Sequence, residues 1–140
     1  MQMMGAVHIK VKLTNAIDEA LVNRGLLAPH LLRQHETEAL VDTGAVTLVI
    51  PAAIVQQLGL RIRGQRVAQY ADGRQESVGV TEPVIIEYAG RETIVEALIT
   101  GDEVLIGQVV LEQLDFLVDC KNQRLIPNPA NPDYAVMQIK

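Results

Sequence analysis

The stretch EALVDTGAVTLVIP, residues 38–51, decides how this chain is read. It sets one carboxylate, Asp42, between two apolar runs: Ala39, Leu40 and Val41 before it, Ala45, Val46 and Leu48 after it. An ionised Asp in apolar surroundings is costly unless it is hydrogen-bonded or has a task. The residues before Asp42 read as a strand running into it, and TLVI (47–50) reads as a second short strand. Taken alone, Asp42-Thr43-Gly44 is an ordinary turn: Asp is a common turn residue, Thr bonds locally and Gly supplies the geometry.

Working outward, Pro51 fits the first turn of a helix. Ile54, Val55 and Leu58 follow at helical spacing, and Gly59 is a natural stop. Upstream, AVHIKVKL (6–13) alternates. Val7, Ile9, Val11 and Leu13 point one way while His8, Lys10 and Lys12 point the other, which predicts a half-buried strand. Residues 14–35 admit two readings: a short helix capped by Asn15 and ended by Gly25, or a long excursion between strands. Downstream, residues 66–80 predict a hairpin. Asp72-Gly73 is its tight primed turn, a turn that needs positive φ. Its flanks are mostly polar, so it should project from the body. Further hairpins are expected at Ala89-Gly90 and around Lys121-Asn122. EVLIGQ (103–108) reads as a short strand ending at Gly107, and VVLEQL (109–114) as a helical turn or two. Many short strands at regular spacing predict an all-β, barrel-like domain with one or two short helices. The expected domain is 1–127, and 128–140, with three prolines close together, is expected to be an extended or mobile tail.

Composition agrees with one globular domain: 140 residues, 49% hydrophobic and 21% charged. Aromatics are only 3%, so the core must be Val, Ile, Leu and Ala. The net charge of −5 argues against a nucleic-acid footprint. A single cysteine, Cys120, excludes an intrachain disulfide and predicts a reducing, cytoplasmic location. The first ten residues lack a leader pattern, and no apolar run is long enough to span a bilayer, so no membrane partner is expected. His8, His30 and His35 are scattered with no Cys or carboxylate set to complete a metal site, and they read as surface or structural residues. Cys120 reads as an inert thiol, and Asp102-Glu103 as a solvated loop. No phosphate-binding glycine loop and no nucleophile-elbow serine is present.

Three segments together change the reading of the Asp turn. ALVDTGA (39–45), YADGR (70–74) and VLIGQVVLEQL (104–114) resemble, in order and spacing over residues 36–127, the retropepsin-like aspartic peptidases. In that family a strand carries Asp-Thr-Gly, a β-hairpin flap follows, and two or three apolar residues then precede Gly and a helix behind the active site. The resemblance implies the acid-protease fold of short antiparallel strands closed around a cleft. Its first strand would match residues 5–13, and the following stretch to His35 would be an insertion relative to the compact retroviral form.

What the resemblance implies chemically is hydrolysis by two facing carboxylates that share one proton, with no metal or cofactor. The chain has one Asp-Thr-Gly; LVDCKN (117–122) has a strand and an Asp but lacks Thr-Gly and reads as a strand end and turn. The second carboxylate must then come from a second copy, because an isologous interface brings the same residue of each subunit together. A homodimer with a peptide or protein substrate is implied, with Asp42 catalytic. Thr43 would buttress the pair across the axis, Gly44 would allow close backbone approach, and Ala45 stands where some relatives carry Ser. Tyr70, Ala71, Asp72 and Gly73 would form the flap tip, and Leu105, Ile106 and Gly107 would pack behind the site. Two other readings keep the fold without turnover: a module that binds a peptide or protein without cutting it, and a dimerisation domain whose Asp only ties a turn.

Overall fold

The alternation in residues 6–13 is realised as strand β1 (Val7–Asn15), with Val7, Ile9, Val11 and Leu13 buried. A computed structural model describes residues 6–139 of the chain. Gly5, at the start of the expected first strand, and the residues before it lie outside the described residues.

Asn15 ends β1 and caps helix α1 (Ala16–Asn23): its Oδ1 accepts from the Asp18 N–H at 3.0 Å, while its Nδ2 donates to the Leu58 carbonyl at 2.8 Å. Such a cap supplies a partner for one of the helix's otherwise unpaired N–H groups. After α1 comes Gly25, at φ +73°, and a 3-10 turn at Pro29–Leu31. The chain then returns as β2 (Gln34–Val41), antiparallel to β1 with Leu13 opposite His35. Both readings of residues 14–35 therefore hold at once: a capped helix inside an excursion between paired strands. An ion pair fastens the excursion. Arg33 donates to the buried Asp18 carboxylate from Nε (2.8 Å) and Nη2 (2.9 Å), and its backbone N–H adds a third bond. Those side-chain bonds, against the opposing effect of burial, hold the Asp18 carboxyl below the ordinary range.

The next apolar run gives β3 (Val49–Ile50) and α2 (Ala52–Gln57). Pro51 is the residue before the helix rather than within its first turn; its ψ of 151° is still extended. Gly59 follows α2 at φ +64°, and a Cβ there would lie 1.7 Å from the Arg33 guanidinium. The position therefore needs glycine both for its backbone and for the space the ion pair occupies.

Strands β4 (Ile62–Gln69) and β5 (Gln75–Thr81) form the expected polar hairpin, with β4 almost wholly exposed. Its turn differs from the tight primed form. Tyr70 N–H donates to the Arg74 carbonyl, Gly73 N–H donates to the Tyr70 carbonyl, and only Gly73 has positive φ (+85°). This is a three-residue loop closed by a glycine bulge, a geometry Asp-Gly also serves. Asp72 instead accepts from the Arg74 N–H at 2.9 Å. The next hairpin, β6 (Val84–Tyr88) and β7 (Arg91–Val95), does turn as expected, with Ala89 at φ 51° and Gly90 at φ 81°.

The chain ends its body with β8 (Leu98–Ile99), β9 (Val104–Ile106), α3 (Gln108–Leu114) and a hairpin of β10 (Phe116–Asp119) and β11 (Arg124–Pro127). Nine strands form one curled sheet, a half-barrel in the order β4-β5-β8-β3-β9-β2-β1-β6-β7, and β10-β11 make a separate two-stranded sheet. Most pairings are antiparallel, but β2 runs parallel to β9 and β3 parallel to β8. The curl encloses a core of Val, Leu and Ile, including Leu13, Leu48, Ile50, Leu58, Ile86, Ile106 and Leu114. Each such side chain stabilises the fold by about 1.5–3 kcal/mol relative to exposure. The tail beyond β11 is without helix or strand over its described length, but Asp115 holds it. That carboxylate accepts from Asn128 Nδ2 (3.0 Å), Asn131 Nδ2 (2.7 Å) and the Val136 N–H (3.1 Å). Among the described residues, no helix is long and apolar enough to cross a membrane.

Candidate active site

Asp42 stands one residue past the end of β2, where the parallel ladder with β9 continues: its N–H donates to the Ile106 carbonyl at 3.0 Å. The chain then turns sharply. The Asp42 carbonyl accepts from the Ala45 N–H (3.1 Å), and the carboxylate Oδ1 accepts from the Gly44 N–H (2.9 Å). The Asp side chain is thus oriented by its own turn, and it is half-buried at the surface of the chain, with Thr43 and Gly44 exposed. The apolar residues before it, Ala39 to Val41, belong to β2, whereas Ala45, Val46 and Leu48 after it lie in the loop that leads to β3. The expected strand at 47–50 is thus confined to Val49–Ile50; the carboxylate itself is not in the core.

The turn is braced from behind. The loop's Ala45 and Val46 carbonyls accept from the Gln108 and Val109 N–H groups at 2.9 and 2.8 Å. These are first-turn donors of α3, which have no partner within the helix, and Gly107 at the cap offers no side chain to serve them. The close approach explains Gly107. A Cβ there would lie 2.3 Å from the Thr47 carbonyl oxygen and 2.7 Å from the Ala45 oxygen, yet its backbone (φ −90°, ψ −177°) is open to any residue. The glycine is required by space, and the atoms that need the space are backbone. Gly44 is tight in a different way: a Cβ would meet Asp42 Oδ1 at 3.1 Å.

Ile106 is fully buried behind the turn, while Leu105, alternating with it, is half-buried and faces a cleft. This cleft, of about 370 Å³, has Val49 and Leu105 on its floor, Tyr70 and Arg74 of the hairpin tip on one wall, and the Thr100–Glu103 loop on the other. The tip reaches that loop through the Tyr70 hydroxyl and Thr100 Oγ1, 3.1 Å apart, and the Arg74 guanidinium lies 4.3 Å over the Tyr70 ring. Ala71, Asp72 and Gly73 are exposed. At its other end the hairpin is rooted by Arg61, whose N–H and Nε donate to Glu82 at 2.8 and 3.0 Å. Burial pushes Glu82 upward, but the Arg61 bonds and the charges of Arg61 and Arg63 outweigh it and leave the carboxyl below the usual range.

The sequence-predicted residues thus gather into two groups that share β9: the Asp42 turn on Ile106 and Gly107, and the hairpin tip across from Leu105. Thr43 faces neither; it borders a groove of about 280 Å³ beside α3 and β10. Sequence reasoning missed Val49 and Thr100, and it read Asp102-Glu103 only as a solvated loop, whereas this exposed loop also walls the cleft. The one local signal was Gly101, at φ +74°, marking a turn beside the apolar strand. Among the described residues, no group of three or more His, Cys, Asp or Glu is placed to hold a metal ion.

A family model described as gag-polyprotein putative aspartyl protease matches residues 30–124. The matched span runs from the end of the excursion through the Asp42 turn, the polar hairpin and β9 into the last hairpin. No curated protein matches the chain. With most of its length covered by that model, and with its Asp-Thr-Gly turn braced on a strand–glycine–helix unit, the chain belongs to the gag-polyprotein putative aspartyl proteases, a retropepsin-like family.

Proposed function

We propose that the protein is an aspartic endopeptidase that works as a homodimer, with Asp42 of each subunit at one shared site. The observation that carries this reading is the Asp42 turn. Its carboxylate is held at the chain surface by a backbone N–H, on a loop whose own carbonyls are fixed to a helix. One carboxylate so placed is half of an acid–base pair.

Two such groups about 3 Å apart cannot both ionise, so one proton is shared and the pair titrates as a unit. The ionised member takes a proton from a water held between the two, and that water attacks the scissile carbonyl carbon. The protonated member donates to the carbonyl oxygen as negative charge grows there. Collapse of the tetrahedral intermediate breaks the C–N bond, the amine leaves with a proton, and the pair returns to its singly protonated state. Substrate would lie extended between the hairpin tip and the Val49–Leu105 floor, gaining main-chain hydrogen bonds as an added strand does. Closure of the hairpin over it excludes water.

The test is a peptide-library digest at several pH values with Asp42→Asn alongside. The expected result is cleavage that falls by about 10³-fold or more in the variant, within the range acid–base groups contribute. Cleavage that survives Asp42→Asn would refute the assignment. Peptide binding by both proteins without cleavage would favour a binding module on the same fold.

A further inference from the structure

Resting on the peptidase reading above, we infer that the cleft between the hairpin tip and the Thr100–Glu103 loop selects a lysine or arginine side chain of the peptide substrate, with Glu76, Asp102 and Glu103 setting the preference.

The first reason is the divided character of the cleft. Its floor is apolar, with Val49 and Leu105, whereas its walls carry the three carboxylates and the guanidinium of Arg74. A long side chain with an aliphatic stem and a cationic head fits that division. The stem covers the apolar floor while the head stays in water among the carboxylates. An acidic side chain would face three like charges, which disfavours it. The second reason is that these carboxylates are not used elsewhere. The ion pairs among the described residues engage Asp18, Glu82, Glu87, Glu96 and Asp119, and none includes Glu76, Asp102 or Glu103. Arg74 is in none of those pairs either; its guanidinium lies 4.3 Å over the Tyr70 ring.

The backbone sets these charges along the path a substrate takes. Glu76 lies on β5 opposite Ala68 and two residues from Arg74, so both project from one face of the hairpin. On the facing wall, Gly101 at φ +74° turns the chain after β8, and exposed Asp102 and Glu103 lead from it into β9. The floor residue Leu105 is followed by Ile106, whose carbonyl receives the Asp42 N–H, so the cleft adjoins the strand position that holds the reactive turn. The three carboxylates do not converge on one point. Among the described residues, no group of three or more His, Cys, Asp or Glu is placed to hold a metal ion, and an organic cation on a long stem suits carboxylates spread over two walls. In a dimer the two-fold axis repeats the cleft beyond the shared carboxylates, so the preference should appear on both sides of the cut.

The test uses the full chain and a positional series of one extended peptide, with Lys, norleucine or Glu placed in turn at each position. Both kcat/KM and equilibrium binding are measured, at low and high salt, for wild type and for the double variant Asp102→Asn, Glu103→Gln. At a position on each side of the cut, Lys is expected to exceed norleucine by about tenfold, the scale of a few exposed charge pairs, with Glu below both. The double variant should reduce the Lys-to-norleucine ratio by about fivefold, and high salt should reduce it in wild type, as exposed charges require. A merely structural role for the loop would not move that ratio. Cleavage in which Lys is no better than norleucine, or in which Glu is preferred, overturns the charge preference and leaves the peptidase reading intact. A Lys preference that the double variant keeps in full overturns the assignment to this loop. Tighter binding of Lys peptides, weakened in the variant, with no cleavage at any position supports the cleft preference and removes the peptidase reading. A series neither cut nor bound overturns both.

Discussion

The Asp42 turn and the hairpin tip at residues 70–74 are both short loops ending in tight backbone, yet they are held in opposite ways. The Asp42 turn is fixed by elements distant in sequence: the Ile106 carbonyl in front, and the Gln108 and Val109 N–H groups behind. The hairpin tip is closed by its own backbone and reaches the body there through the Tyr70–Thr100 hydroxyl pair. Their glycines make the same point. Gly107 is needed because backbone of residues 45 and 47 fills the space a Cβ would take, whereas Gly73 has nothing within 4 Å and is needed only for its φ of +85°. On the proposed peptidase reading, the contrast separates a part that must not move, where proton transfer tolerates little displacement, from a part that must.

The sharpest way to break this comparison is Gly107→Ala. A methyl forced against backbone cannot be relieved by a rotamer change, so a loss of about 3 kcal/mol is expected, the upper end for overpacking. Activity should be lost with it, as read by denaturant unfolding and peptide cleavage. If Gly107→Ala is as stable and active as wild type, the bracing account is wrong. Asp18→Asn acts outside both loops. It leaves Arg33 short of its partner; with the guanidinium half-exposed, the cost is expected near 2 kcal/mol, below that of breaking a fully buried pair. Activity per folded molecule should be unchanged.

The pH dependence follows from the same group. Both Asp18 and Glu82 are depressed in the folded state. Their contribution is therefore present above their unfolded values, about 4, and is lost as pH falls through the lower folded values. Stability should be level from neutral pH down to about 4 and decline below it, with a shallower acid decline in Asp18→Asn. A decline that begins above pH 5 would contradict this.

Smaller effects are expected at the hairpin tip. Gly73→Ala should cost about 1 kcal/mol through its positive φ, and Tyr70→Phe, which removes a half-exposed hydroxyl contact, about 1 kcal/mol or less. Both should change KM and kcat by less than tenfold, a result that would equate the two loops if it were instead as large as that of Gly107→Ala. Least of all, Ala45→Ser adds a hydroxyl beside the carboxylate and should move the pH–rate profile slightly to the acid side, since a hydrogen bond to the ionised form favours it. No acid shift would count against that role.

Much of this was legible in the sequence because it is local. The alternation of β1, the Ala89-Gly90 turn and the Asn15 cap are each set by residues within a few positions of one another. The Asp-Thr-Gly turn was legible for the same reason. The rest depends on contacts between distant segments. The parallel pairings of β2 with β9 and β3 with β8 leave no periodic trace, and they are what carries Gly107 under the Asp42 turn. The need for glycine at 107 cannot be seen in its own backbone, only in residues 45 and 47. Asp18 and Arg33, 15 residues apart, carry no local signal of the ion pair they form once the excursion folds. The tail's proline content pointed to extended chain, but its anchor, Asp115, lies at the left-handed end of α3.

The central claim is that Asp42 is one half of a reactive pair completed by a second chain. It is tested most directly by the separation of the two Asp42 carboxylates in a crystal structure of the assembled protein. The account predicts that they face each other across a two-fold axis within hydrogen-bond reach, about 3 Å apart. Assemblies that keep them on separate faces, each carboxylate alone in solvent, would contradict it.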